Sequence, residues 1–427
     1  MNGADDMDGV RYRRALEALR NGVPNQDAVR VLGCSQQAVE EAFNHQLEET
    51  RRLLHSGDQA SGLLISGGFG AGKSHLLEFL QLKALRANFV VSKVVISKET
   101  PLYDQGKVFR AAIESAVLPN RRGQAVKEID QQLNPRSSTY ATLDRWAKEP
   151  DNGVSELFPA TLFLHERLNN DPDLVESVTD FWAGDTLPIA SVRSGLRQVN
   201  AASAFTVKAV PAKQLQHERF LFMTRLILGA GYTGWVLLID EVELIGRYSL
   251  LQRGRSYAEL ARWLGQIETT SYPGLTAVAA ITDDFDINVL QEKGDRDYVG
   301  PKLRSKETDE MSLLAGRAEA GMRCIAREAL ELVPPTEAVL RETYERVRRV
   351  HGDAYGWDPP EVEGAEVALR RAMRSYVRRW INEWDLKRLY PGAEVHTEED
   401  ELRIDYGEDQ ELEVASEEDP PLVPEVE

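Results

Sequence analysis

From Arg11 to Arg20 the apolar side chains fall at Tyr12, Ala15, Leu16 and Leu19, the spacing of a helix with one buried stripe, and Asn21-Gly22 ends it. Pro24 opens a second helical stretch, Gln26 to Phe43, with Val29, Leu32, Val39, Ala42 and Phe43 apolar and a break at Gly33-Cys34-Ser35. The period then changes. Leu63-Leu64-Ile65 is an unbroken apolar run, Ser74 to Ala87 reads as a helix, and Phe89 to Ile96 is rich in β-branched residues. Strand, loop, helix, strand is a βαβ unit, which needs a parallel sheet. Between residues 121 and 212 the alternation lapses into short helical pieces separated by Asn134-Pro135, Pro150-Asp151-Asn152-Gly153 and Asp171-Pro172. It resumes with a helix over 214–228, a strand from Trp235 to Ile239, a helix over 257–269 and a strand from Leu275 to Ile281. Beyond 310 the pattern is helical, broken at Pro334-Pro335 and Asp358-Pro359-Pro360. Its last helix, Ala368 to Trp384, sets Met373, Val377, Trp380 and Trp384 on one stripe and Arg370, Arg371, Arg374, Arg378 and Arg379 around it.

These patterns predict an α/β fold in four parts: a helical N-terminal segment over 1–55, an α/β core over 56–310 with a mostly helical insertion at 121–212, a helical lid over 311–392, and a tail over 393–427. A chain of 427 residues has room for such parts. Charge changes the reading of the tail alone. The net charge is -18, yet residues 393–427 hold fifteen acids against the single base Arg403, so the body is only slightly acidic. Glu398, Glu399, Asp400 and Glu401, then Glu417, Glu418, Asp419, Pro420 and Pro421, predict a disordered solvating tail. The two cysteines, Cys34 and Cys324, are far apart and form no metal-ligand pattern, which fits a reducing cytoplasm. No apolar run approaches the ~18 residues of a membrane span, so a soluble protein with no membrane partner is expected. The helix, break, helix over 26–43 has the outline of a DNA-reading helix-turn-helix. Its second helix carries Gln36, Gln37, Glu40 and Glu41 and no base to meet phosphates, which favours packing against the next domain.

The chemistry is concentrated at two strand ends. Gly67-Gly68-Phe69-Gly70-Ala71-Gly72-Lys73-Ser74 fits GxxxxGK[ST], directly after a predicted strand and before a predicted helix. Glycines let successive backbone N–H groups turn inward around a phosphate at the positive end of the helix. Lys73 is expected to reach the β and γ phosphates of ATP, and Ser74 to hold Mg²⁺. Trp235-Val236-Leu237-Leu238-Ile239-Asp240-Glu241 is a buried strand ending in two carboxylates, the Walker B form. Asp240 is then the second metal ligand. Glu241 is the candidate base that polarises water toward the γ-phosphate, a role that needs a carboxylate one hydrogen bond away. Thr282, at the end of the strand from Leu275, is a candidate γ-phosphate sensor, with an ordinary strand-end threonine as the alternative. The arginine strip at 370–379 reads as a solvated face, as a lid arginine reaching the phosphates, or as a track for nucleic acid; Arg296, Arg304 and Arg317 stand where a neighbouring subunit's nucleotide would be met.

Three stretches carry a family resemblance: Ala230-Gly231-Tyr232-Thr233-Gly234-Trp235, the following Leu237-Leu238-Ile239-Asp240-Glu241-Val242-Glu243-Leu244, and the opening Ala18-Leu19-Arg20-Asn21-Gly22-Val23-Pro24. Together with the Walker A loop they resemble the BrxC/BrxD family, the ATP-binding proteins of BREX bacteriophage-defence systems. More broadly the core is similar to AAA+ P-loop ATPases of the origin-recognition type. The resemblance implies ATP binding, hydrolysis to ADP and phosphate, and work beside other BREX proteins, a helicase and a methyltransferase among them; DNA and further copies of the chain are additional expected partners. A nucleotide-gated switch or scaffold with little hydrolysis and a DNA-binding regulator stay open as alternatives.

Overall fold

The computed structural model describes residues 3–54, 56–119, 123–168, 171–267, 271–362, 372–392, 405–409 and 412. Three helices come first: α1 (Gly3–Asn21), α2 (Gln26–Leu32) and α3 (Gln37–Leu53). Asn25 caps α2 by accepting from the Ala28 amide, and Gly33 stops it at a positive φ of 69°. The helix-break-helix outline is present, with its apolar face turned inward. Val39, Phe43 and Leu47 of α3 join Leu76, Leu80, Val236 and Val278 in one buried cluster. Gln46, also buried, donates to Thr276 Oγ1 (2.6 Å) and the Ala277 carbonyl (2.9 Å). Within the segment over 26–43, Val39 and Phe43 thus pack against the sheet and α4.

The chain continues through β1 (Leu63–Ser66), α4 (Lys73–Arg86), β2 (Val90–Val95) and α5 (Gln105–Glu114). Five helices follow: α6 (Ala125–Gln132), α7 (Ser138–Lys148), α8 (Leu157–Arg167), α9 (Pro172–Ala183) and α10 (Ile189–Gln198). Ser137 and Asp171 cap α7 and α9 through their side chains. Then come α11 (Ala212–Gly229), β3 (Trp235–Asp240), α12 (Leu250–Trp263), β4 (Leu275–Ile281), α13 (Asp295–Arg304) and α14 (Asp309–Arg327). The last elements are β5 (Leu330–Glu331), α15 (Glu337–Tyr355) and α16 (Met373–Leu389).

All five strands are parallel, in the order β2-β3-β4-β1-β5. Helices cover both faces, so β3 and β4 are buried at every position, and this is why they read as continuous apolar runs. β5, two residues long, leaves no periodic signal and was not expected. The chain lays β2, β3 and β4 to one side of β1 and β5 to the other; the loops after β1, β3 and β4 therefore leave one edge of the sheet where the strand order reverses, the usual place for a ligand in such sheets.

Two cores divide the chain differently from the expected limits at 55 and 310. Leu16 and Leu19 of α1 share a cluster with Tyr344 and Val347 of α15 and Trp380, Ile381 and Trp384 of α16. The N-terminal helices α1 and α2 thus belong with the C-terminal ones, while α3 belongs with the sheet. α14 in turn packs on α12 so closely that a Cβ at Gly321 would fall 2.0 Å from the Tyr257 carbonyl oxygen. A stripe of apolar residues shows that a helix face is buried, but not by which partner.

The tail also departs from expectation. Most of 393–427 lies outside the described residues, as do residues 368–371 of the expected last helix. Asp405–Asp409 and Leu412, however, dock on the sheet domain, with Tyr406 and Leu412 buried. An acidic composition hid one aromatic anchor whose acidic neighbours have partners: Asp409 pairs with Arg247 at 2.6 Å and Glu408 with Arg253 at 2.8 Å.

Candidate functional site

The glycine-rich loop joins the end of β1 to the start of α4. The Gly67 amide donates to the Ile281 carbonyl (3.2 Å), which fastens the loop to β4. Gly70 and Gly72 sit at φ of 75° and 104°, where a side chain is strained, and a Cβ at Gly70 would stand 3.0 Å from that of Ala372. Lys73, at the head of α4, is buried and donates from Nζ to the carbonyls of Gly67 (2.8 Å) and Gly68 (3.4 Å). Ser74 follows, half-buried. Loop and helix start open into a cavity of about 580 Å³, lined also by Phe69, Ala71, Glu241, Glu243, Arg346 and Arg374, a size usual for small-ligand sites. The break between α2 and α3 forms one wall. Gln36 exchanges two hydrogen bonds of 2.9 Å with the Val333 backbone, and His75 Nε2 meets the Gly33 carbonyl at 2.8 Å.

The carboxylates arrive from β3. Asp240, its last residue, is buried, with Lys93 Nζ of β2 3.7 Å away. Glu241 takes the left-handed conformation (φ 60°), uncommon outside glycine and a mark of functional turns, and its amide donates to Asp240 Oδ1 (3.1 Å). Its side chain is open to the cavity yet ringed by protein. Partial desolvation and the Asp240 carboxylate push its carboxyl up, while Lys73, Arg374 and Lys93 pull it down. Glu243 follows in a 3₁₀ turn, Val242–Arg247. Burial pushes its carboxyl up to about 7 against the pull of Lys73, whose Nζ is 3.7 Å from Oε1. Glu243 Oε2 is buried without a hydrogen-bond partner, a state that costs free energy unless a ligand relieves it. No role is assigned to Glu243 from sequence; the available signal is an acid between Val242, Leu244 and Ile245, just past the strand.

At the end of β4, Thr282 is buried and its Oγ1 lies 2.6 Å from the Tyr406 hydroxyl. Asp283 lies against the loop, with Oδ2 3.5 Å from where a Cβ on Gly68 would be. From α16, Arg374 places its guanidinium 5.9 Å from the centre of the exposed Phe69 ring, and its amide points at the Gly70 carbonyl (3.5 Å). Of the arginine strip it is Arg374 that the fold brings to the loop; Arg378 is exposed, and Arg370 and Arg371 lie outside the described residues. Arg296 and Arg304 are paired with Asp286 and Glu319, and Arg317 lies beside Arg262, all away from the cavity. Among the described residues no three His, Cys, Asp or Glu side chains cluster as a metal cage. Ser74 and Asp240 offer hard oxygen donors of the kind Mg²⁺ takes alongside phosphate and water.

A model of the protein family described as BREX system ATP-binding protein BrxC/D matches residues 10–185 and 199–383. No curated protein and no solved structure matches the chain.

Proposed function

The chain belongs to the BrxC/D family of BREX system ATP-binding proteins, and from that premise we propose that it is a Mg-dependent ATPase, a P-loop NTPase of AAA+ type that serves as a motor or regulator in BREX phage defence. One observation carries the reading: Lys73 at the head of α4 and the acids Glu241 and Glu243 that follow β3 line one cavity, with Asp240 buried at the end of that strand. In the Walker A role, Gly67, Gly68, Phe69, Gly70, Ala71 and Gly72 form the loop that wraps the phosphates with backbone amides, anchored by the Gly67 amide on the Ile281 carbonyl. Lys73 exchanges its loop carbonyls for β and γ phosphate oxygens. Ser74 and Asp240 hold Mg²⁺, which when bound neutralises charge on the phosphates. Glu241 orients and deprotonates the water, aided by a carboxyl already raised by its surroundings. Thr282, buried at the end of β4 with its Oγ1 2.6 Å from the Tyr406 hydroxyl, is the proposed γ-phosphate sensor. The bundle of α1, α2, α15 and α16 acts as a lid that carries Arg374 to the loop.

Other BREX components are the proposed partners, with DNA and a ring of identical chains as further possibilities for a motor. Among the described residues no helix is long and apolar enough to cross a membrane, and we place the protein's work in the cytoplasm. Phosphate release from Mg-ATP, measured with the full chain and with BREX components added, tests the reading. Turnover in either condition is expected. Tight binding with no turnover in both would make the protein a nucleotide-gated scaffold.

A further inference from the structure

We infer that the docked tail segment is an autoinhibitory latch, in which Tyr406 holds the only hydroxyl proton of Thr282 away from the nucleotide site. The inference rests on the reading of Thr282 given above, and it follows from counting protons. Tyr406 has one hydroxyl hydrogen and donates it to Asp284 Oδ1 at 2.8 Å, since a carboxylate can only accept. The 2.6 Å contact between Tyr406 Oη and Thr282 Oγ1 then needs its hydrogen from Thr282. Thr282 has no second one. A γ-phosphate oxygen is an anionic acceptor and asks for a donor, so a Thr282 engaged this way offers it nothing. Burial and the Asp284 carboxylate raise the Tyr406 hydroxyl above its ordinary pKa, so its own hydrogen stays in place for Asp284.

The segment is held by a set of contacts suited to a device that docks and lifts. The Tyr406 ring meets Phe285 edge-on at 5.9 Å and lies over Gly246, where a Cβ would come within 2.7 Å of it. Either side of that anchor, the Asp409 amide donates to the Arg247 carbonyl (3.1 Å) and its carboxylate pairs with the Arg247 guanidinium. Arg247 and Gly246 belong to the same 3₁₀ turn as Glu243, so the tail grips the two loops that follow β3 and β4, the loops that carry Glu241 and Thr282. The Glu408 side chain is 56% exposed, leaving the acidic side of the latch open to competition from a cationic surface.

The test is Mg-ATP hydrolysis by the full chain in four forms: wild type, Tyr406→Phe, Thr282→Val and the double variant. Phenylalanine keeps the ring in its seat and returns the Thr282 hydrogen to the site. Tyr406→Phe is expected to raise kcat by about 10- to 100-fold, the worth of one hydrogen bond to a charged acceptor, with KM for ATP little changed. The gain should vanish in the double variant, which should turn over at the Thr282→Val rate. A purely structural tyrosine would give an unchanged or lower kcat with a lowered melting temperature, and that result in a wild type that turns over overturns the latch. A gain that persists without the Thr282 hydroxyl overturns it too. No turnover in any form, with Mg-ATP binding intact, removes the ATPase reading and the latch with it.

Discussion

Glu243 and Lys73 share a buried corner of the cavity, 3.7 Å apart. The carboxyl titrates near 4.5 in an unfolded chain and near 7 in the fold. Between these values the native state binds the extra proton, so this group's contribution to stability falls as pH rises through that window and is flat above it. The full difference is on the order of 3 kcal/mol. Glu243→Gln should therefore be nearly neutral at pH 5 and stabilising by roughly 1–3 kcal/mol at pH 8 in the nucleotide-free protein. Urea midpoints of both proteins at the two pH values check it; parallel pH profiles would show that the carboxyl is not raised. Lys73→Ala acts on binding instead. It removes charge-assisted bonds of about 1.5–3 kcal/mol, so calorimetry should find Mg-ATP affinity lowered roughly 10- to 100-fold. Residues such as Lys73, Asp240 and Glu241 were legible because each sits in a contiguous stretch whose local structure fixes its place. Glu243 and Tyr406 were not, and the strip that holds Arg374 did not say which of its arginines reaches the loop. Glu243 and Arg374 reach the cavity through a turn and a second helical bundle, Tyr406 reaches Thr282 and Asp284 through a returning tail, and a side chain's tertiary route leaves no local period.

At the scale of elements, the four longer strands, α4 and α11 followed from apolar runs and periodicity, because a parallel sheet buried on both faces writes its strands as unbroken hydrophobic segments, whereas α12 runs Leu250–Trp263 rather than over the expected 257–269. The pairing of helices was opaque. Nothing in α1 announces α15 and α16 as its partners, and the polar locks between elements were equally hidden. One such lock joins α12 to α13: Arg253 Nε and Nη2 reach the Asp295 carboxylate at 2.8 and 2.9 Å, and Tyr257 donates to it at 2.6 Å. Both charged side chains are almost fully buried. Asp295→Ala leaves Arg253 buried without this partner and should cost about 3–5 kcal/mol of unfolding free energy, read by denaturant titration. A loss under 1 kcal/mol would mean that Glu408 and the Tyr248 carbonyl suffice for the guanidinium.

The whole molecule places a nucleotide-sized cavity between two cores, the buried cluster of α3, α4 and the sheet and that of α1, α2, α15 and α16, while the tail grips the other sheet cluster. Removal of residues 393–427 takes away the buried Tyr406 and Leu412 and two ion pairs, so truncation should lower stability by about 2–5 kcal/mol, seen as a lowered melting temperature. An unchanged melting temperature would return the tail to the solvating role its composition suggests. The central claim, that these two cores enclose an ATPase site worked by Glu241, is tested most directly by single-turnover hydrolysis at saturating Mg-ATP in wild type and Glu241→Gln, with BREX components present and absent. Glutamine keeps the size and a hydrogen bond but not the basic lone pair, so the account predicts retained binding and hydrolysis slowed ~10²- to 10⁴-fold. Equal, measurable rates in the two proteins would contradict it.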